Sequence, residues 1–191
     1  NARPLGDAGV GRNAETELQF LAGLAFECPD PLWFNPSGYT IGFGISGGGG
    51  IFAVPTPVPT PLGSANLNQT VTINYIGTYK EFPVITVIGP ITNLIITNLA
   101  TNKVIDFTGF TIPAAHYYTI DLRYGRKFVY KDGVTTDVRT GETTNASNLS
   151  TWALEADPVA PSGENAIKVQ GSTITSATQI YMSYFDRYSG I

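Results

Sequence analysis

From about residue 64 to the end of the chain, short apolar runs are separated by turn-forming residues. Alternation of apolar and polar side chains with a period of two is typical of a β-strand that buries one face. The runs span residues 71–75, 84–88, 94–96, 104–107, 117–122, 127–130, 166–169 and 179–185. Gly, Asn, Pro or Asp separates most of them, and no window has a convincing helical period. We therefore predict that residues 64–191 form an all-β domain, an antiparallel β-sandwich of about eight to ten strands.

One turn inside this region has a specific signature. Asp132-Gly133 lies between the apolar runs at 128–131 and 134–136. Asp-Gly is a favoured pair for a two-residue hairpin, because both positions need left-handed backbone angles. We therefore predict a tight β-hairpin at this position.

The N-terminal third has a different pattern. Residues 3–16 are polar and Gly-rich, which predicts an arm or a loose loop, and residues 18–26 alternate as one strand with an apolar face. The four glycines at 47–50 predict a flexible segment, and the alternating prolines at 55–61 predict a stiff, extended one. This composition predicts a connector over 47–63, between residues 3–46 and a sandwich over 64–191.

Composition narrows the function classes. The 191 residues carry a net charge of -4, and only 14% of them are charged. An excess of acidic residues argues against a nucleic-acid partner, because such binding depends on neutralising phosphates. No run approaches the roughly 20 apolar residues that span a bilayer, so we expect no membrane insertion. The single cysteine, Cys28, excludes an intrachain disulfide, and we expect it to be a small buried apolar residue.

The search for catalytic chemistry gives weak candidates. The only histidine, His116, precedes a predicted strand, and no G-x-S-x-G motif accompanies it, so we interpret it as a surface or turn residue. Acidic side chains in polar, turn-rich stretches are expected to be solvated; they are Glu142, Glu155, Asp157 and Glu164. One basic cluster forms a possible patch and comprises Arg123, Arg126, Lys127 and Lys131. We expect no catalytic residue, no metal site and no cofactor.

Several short segments form an ordered series of motifs along the chain. Residues 18–34, with Cys-Pro-Asp-Pro-Leu-Trp-Phe at 28–34, resemble the end of the first domain in the distal tail protein family of siphophages. Residues 79–90 resemble the segment that opens its second domain. Further segments fit the same pattern in the same order; they are 94–98, 118–121, 149–152 and 163–167.

The resemblance implies a fold and an assembly. In this family a first domain, the belt, closes into a ring, and a galectin-like or jelly-roll-like sandwich lies outside it. Residues 3–46 then correspond to the end of the belt. The implied function is a structural component of a phage or prophage tail, which joins the tail tube to the tip or baseplate and supports host-recognition parts. A full-length protein is expected to form a hexameric ring in the virion, after assembly in the host cytoplasm. The present chain is expected to be a monomer or a small non-native oligomer.

The galectin-like fold also suggests a carbohydrate-binding module as an alternative. Galectins bind sugar through His-x-Asn-x-Arg and Trp-Gly-x-Glu-x-Arg segments. Here His116 is followed by Tyr-Tyr and Trp152 by Ala-Leu-Glu, so both motifs are incomplete. We expect Trp152 to be a core or rim aromatic, and at most weak carbohydrate binding. A glycosidase built on scattered carboxylates is a third hypothesis.

Overall fold

A computed structural model describes residues 3–4, 9–12, 20–23, 26–27, 32–43, 65–134 and 137–189 of the chain. The chain forms two compact units, one of residues 1–33 with 190–191 and the other of residues 34–189. Within the described residues, no helix is long and apolar enough to cross a membrane.

The described residues of the smaller unit include four short strands: β1 (Arg3–Pro4), β2 (Gly9–Arg12), β3 (Phe20–Gly23) and β4 (Phe26–Glu27). β1 pairs with β4 and β2 with β3, both antiparallel. The expectation of a loose arm was therefore wrong for residues 3–4 and 9–12, and the predicted strand over 18–26 contains two short strands, β3 and β4, each with a partner. A strand needs a neighbour for its backbone donors and acceptors, and the Gly-rich segment at 9–12 supplies one. Cys28 and the predicted connector at 47–63 lie outside the described residues.

The remaining elements follow in chain order: β5 (Trp33–Phe34), β6 (Tyr39–Phe43), β7 (Ala65–Asn74), β8 (Val84–Ile88), β9 (Ile91–Asn98), β10 (Lys103–Asp106), β11 (Thr111–Ile112), β12 (Tyr117–Asp121), β13 (Phe128–Lys131), α1 (Arg139–Glu142), a 3-10 turn (Pro161–Gly163), β14 (Glu164–Ile174), β15 (Gln179–Tyr184) and β16 (Arg187–Tyr188). Each predicted run from residue 71 onward coincides with one of these strands or overlaps it.

The described part of the larger unit contains two five-stranded antiparallel sheets and a small two-stranded sheet of β5 with β16. One has the order β10–β9–β14–β7, with β11 also paired to β9, and the other has the order β13–β12–β8–β15–β6. Alternate side chains of both sheets enter one buried hydrophobic cluster, for example Ile85 and Val87 of β8, Ile96 of β9 and Val169 of β14. This alternation confirms the predicted antiparallel β-sandwich.

The sandwich takes one edge strand from a part of the chain that the sequence pattern placed elsewhere. β6 lies before the predicted connector, within the segment 3–46, yet it pairs with β15 from Ile180↔Phe43 to Tyr184↔Tyr39. Phe43 is 2% exposed and belongs to the sandwich core. Burial of this ring and pairing of the outer edge of β15 together favour the arrangement.

The two-residue turn predicted at Asp132-Gly133 is present, whereas the pairing beyond it is not that of a two-residue hairpin, in which Tyr130 would oppose residue 135. Asp132 and Gly133 have φ angles of 50° and 70°, and the N–H of Val134 donates to the carbonyl of Lys131 over 2.9 Å. These are the left-handed positions of a two-residue turn. Beyond it, Asp137 forms a single β-bridge with Tyr130 of β13.

Candidate functional site

Trp152 is a core residue of the sandwich. Its exposure is 0%, it belongs to the main hydrophobic cluster, and its indole N–H has no hydrogen-bond partner. The backbone N–H of Trp152 donates to the carbonyl of Asn148 over 2.8 Å. This hydrogen bond closes a tight turn, and the buried segment 152–154 follows it. Its ring is therefore closed to a sugar, and the expectation of a core aromatic is confirmed.

His116 lies in the turn before β12, as expected, and its contact is a carboxylate. Its Nδ1 lies 2.6 Å from Oδ2 of Asp132, and the N–H of Tyr117 donates to Oδ1 of Asp132 over 2.9 Å. The hydrogen bond from Tyr117, followed by that from His116, lowers the pKa of Asp132. The imidazole is 44% exposed and helps to hold the first residue of β12 against the hairpin turn. This arrangement is that of a turn-stabilising residue.

The four acidic candidates occupy separate turns and strand ends. Asp157 and Glu164 are exposed, and Glu142 and Glu155 are half-buried. Asp157 accepts a hydrogen bond from the N–H of Ser162 over 3.3 Å, in a loop. Within the described residues, no group of three or more His, Cys, Asp or Glu side chains is arranged to hold a metal ion.

The predicted basic cluster is organised by a buried carboxylate, Asp121, at the end of β12. Arg123 donates to it through Nε over 2.9 Å and Nη2 over 2.7 Å, and Nη1 of Arg126 lies 3.7 Å away. Burial alone would raise the pKa of Asp121, but the hydrogen bonds and charge of Arg123, with the charge of Arg126, hold it below its ordinary value. Bidentate pairing fixes the Arg123 guanidinium while 47% of its side chain stays exposed.

Lys127 extends this surface and brings in a lysine that was not predicted. Its Nζ lies 3.3 Å from the centroid of the Phe82 ring and donates to the carbonyl of Leu122. Nζ of Lys80 lies 5.6 Å from the centroid of the same ring. Burial foremost, and the nearby charge of Lys80, lower the pKa of Lys127 to about 8. The sequence analysis missed Lys80 because this residue precedes β8, whereas the predicted basic residues follow β12. The pairing of β8 with β12 brings the two segments together.

We call this region the basic turn surface, comprising Lys80, Arg123, Tyr124, Arg126 and Lys127. Tyr124 lies between the arginines and is 81% exposed. Lys131, the fourth predicted member, instead lies with Nζ 5.8 Å from the Tyr118 ring centroid. Exposed tyrosine beside fixed arginine is a composition typical of the energetic centres of protein interfaces.

A second polar group, which the sequence pattern did not predict, is buried at the C-terminal end of the sandwich. Glu81 is 2% exposed and forms an ion pair with Arg187. The hydroxyl of Tyr75 donates to the carbonyl of Tyr79 over 2.6 Å and accepts the N–H of Arg187 over 2.9 Å. Burial raises the pKa of Glu81 although Arg187 counteracts this effect. The network fastens the C-terminal strand to the start of β8.

An open groove of about 340 Å³ adjoins this network. Its lining residues are Tyr75, Ile76, Gly77, Thr78, Asp157, Ser162 and Gly163. Asp157 is the single carboxylate among them, so this groove lacks the pair of acids that glycoside hydrolysis uses.

No protein-family model matches the chain, and no curated protein or solved structure matches it either. The strand pairings and the common core define an antiparallel β-sandwich protein. The distal tail protein resemblance stays a prediction.

Proposed function

We propose that this chain is a structural component of a phage or prophage tail, which joins the tail tube to the tip or baseplate and supports host-recognition parts. The observation that carries the proposal is the role of the residues on which the resemblance depends. Glu81, Trp152 and Asn165 belong to the motif segments, and their side chains are buried and hold the sandwich together. Motifs of this kind are expected in a scaffold, whereas the motifs of an enzyme or lectin face a ligand.

Asn165 illustrates this structural use of a motif residue. Its Nδ2 donates to the carbonyls of Glu155 and Gly163 over 2.8 and 3.0 Å, and its Oδ1 accepts the N–H of Glu155 over 2.9 Å. The same Oδ1 also accepts Nδ2 of Asn98 over 3.0 Å. The side chain therefore connects β14, β9 and the loop before the 3-10 turn, and it has no remaining group for a ligand.

The basic turn surface is the part of the sandwich that we assign to a neighbouring tail protein. Its four basic side chains are concentrated in a chain with a net charge of -4, so the surface favours an acidic partner. The fixed guanidinium of Arg123 and the exposed ring of Tyr124 supply contact area at little entropic cost. We expect the belt domain of the protein to close into a hexameric ring.

Carbohydrate binding stays the second candidate, and Tyr124 is the observation that favours it, because an exposed ring can stack on a sugar. The buried position of Trp152 counts against it. A glycan array probed with the chain and with Tyr124→Ala discriminates the two functions. Strong, selective binding that Tyr124→Ala abolishes would favour the carbohydrate-binding module, whereas the proposed function predicts no selective binding.

The tail assignment is tested on particles. Antibodies raised against the chain should label the distal end of the tail in immunogold micrographs of phage particles from the encoding strain. Mass spectrometry of purified tails should detect the chain in a fixed ratio to the tube protein. Antibodies against a capsid protein serve as the control for label position. Tailed particles that lack the chain, while the cells contain it, would contradict the proposal.

A further inference from the structure

Two edges of the sandwich are covered by segments of the same chain. On the outer side of β10, the N–H of Val104 donates to Oδ1 of Asn148 over 3.0 Å, and the N–H of Asn148 donates back to Val104 over 2.7 Å. The N–H of Asp106 likewise donates to Oγ of Ser147 over 2.8 Å, and the carbonyl of Asp106 accepts the N–H of Thr144 over 2.9 Å. Residues 144–148 therefore satisfy the backbone groups of this edge strand.

The outer edge of β13 is covered similarly. The N–H of Val129 donates to Oδ1 of Asp137 over 3.1 Å, and the carbonyl of Val129 accepts the N–H of Val138 over 2.9 Å. Folded proteins protect sheet edges in this way because a free edge is a template for another strand.

β7 has no such cover within the described part of the chain. It is ten residues long, pairs with β14 along one side and ends its sheet. It contains no charged residue and no proline, which are the usual means of blocking an open edge. Of the four strands that end the two five-stranded sheets, β6 also lacks such cover within the described residues, and it is five residues long. Among the described residues, β7 is therefore the longest edge strand that is open to another strand.

The sequence of β7 is nearly symmetric about Thr70. Reading outward, Thr70 is flanked by Gln69 and Val71, then by Asn68 and Thr72, and next by Leu67 and Ile73. Asn66 and Asn74 complete the series. An antiparallel pairing about a two-fold axis at Thr70 places each residue opposite one of the same or similar character, except Gln69 opposite Val71.

We propose that β7 is a self-association edge, which binds β7 of a second copy of this chain in antiparallel register about a two-fold axis near Thr70. Isologous contacts require a self-complementary surface, and amide and hydroxyl side chains both donate and accept hydrogen bonds, so they can pair with their own kind. Identical charged residues would repel across such a pair, and β7 carries none.

The side chain of Gln69 on β7 has an acceptor without a donor, and the second copy supplies that donor. Oε1 of Gln69 is buried and has no hydrogen-bond partner. In the two-fold register the two Gln69 side chains are diagonal neighbours, which lie about 7–8 Å apart at the backbone and are within reach of long side chains. The amide of one Gln69 then donates to the other.

This contact is independent of the proposed tail function and narrows the expected oligomeric state of the chain to a dimer. The test uses two opposite variants, Asn68→Lys/Thr72→Lys and Asn68→Glu/Thr72→Glu. In the two-fold register position 68 of one copy opposes position 72 of the other, so each variant places like charges opposite each other twice. The matched control is Gln170→Lys/Ala166→Lys, which adds the same charges on β14 at the positions paired with 68 and 72.

Sedimentation equilibrium gives the readout, with circular dichroism to confirm that each variant is folded. We expect dimers for the native chain and for the β14 control, monomers for each β7 variant alone, and a heterodimer when the two β7 variants are mixed. A native chain that is monomeric over the whole concentration series would overturn the proposal. So would two folded β7 variants that stay dimeric alone, or that stay monomeric when mixed.

Discussion

Glu81 and Arg187 are 106 positions apart in the chain and form an ion pair in which Glu81 is 2% and Arg187 14% exposed. The pair joins Glu81, three residues before the start of β8, to the first residue of β16. Oε1 of Glu81 also accepts the N–H of Phe185 over 3.4 Å. The C-terminal segment is thus held by a charge whose partner lies more than half the chain away.

Removing one member of this pair should be costly. We expect Glu81→Ala or Arg187→Ala to lower the free energy of unfolding by about 3–5 kcal/mol, because the remaining charge is left buried without its partner. Replacement of both by Glu81→Leu/Arg187→Met should cost less than the sum of the single changes. Urea unfolding measures each value, and additive losses would contradict the assigned coupling.

Asp121 should make the protein sensitive to acid. Its pKa in the folded state lies below the ordinary value of about 3.9, so the unfolded chain binds its proton first as the pH falls. The stabilisation is complete above about pH 5 and is lost as the pH falls through the lowered folded pKa. We expect Asp121→Asn to be less stable at neutral pH and to lose less stability on acidification.

Urea midpoints at several pH values measure this effect, and Glu164→Gln is a control because Glu164 is an exposed carboxylate. Parallel pH profiles for the native protein and Asp121→Asn would show that Asp121 does not cause the acid sensitivity.

The pKa of Lys127 should respond to Lys80. Burial and the Lys80 charge lower the pKa of Lys127 to about 8. Between about pH 8 and the ordinary lysine pKa of about 10.4, the unfolded chain binds more protons at Lys127 than the folded protein does. The contribution of Lys127 to stability therefore increases as the pH rises through this range. We expect Lys80→Gln to raise the pKa of Lys127 in an NMR titration, and Lys168→Gln, on β14, to leave it unchanged. An unchanged value in Lys80→Gln would contradict the shared basic turn surface.

Gly163 should tolerate no side chain. Its φ is +70°, and a Cβ atom there would collide with the backbone carbonyl of Tyr75. Gly109 has a φ of +89° with nothing within 4 Å of a Cβ atom, so Gly109→Ala isolates the backbone strain of roughly 1–2 kcal/mol. We expect Gly163→Ala to lose clearly more stability than Gly109→Ala in urea unfolding. Equal losses would exclude the collision as a cause.

The sequence determined the local elements of the sandwich. The short continuous apolar run at 84–88 identified β8. The run at 179–185 identified β15, because a strand that is buried on one face repeats its apolar side chains every second residue. Asp132-Gly133 identified the two-residue turn for a similarly local reason, since both positions need left-handed backbone angles. Trp152 was predicted to be a core or rim aromatic, because tryptophan usually buries its large ring.

The tertiary structure alone decided which distant residues meet. The pairing of β6 with β15, the Glu81–Arg187 ion pair, and the cover of β10 by residues 144–148 join positions far apart in the chain. Local periodicity has no information on such contacts, because they depend on how two sheets pack and on which edges remain unpaired after packing. The open edge of β7 follows from the same cause: its ten residues indicate a strand, but only the sheet order shows that no other described strand pairs with its second side.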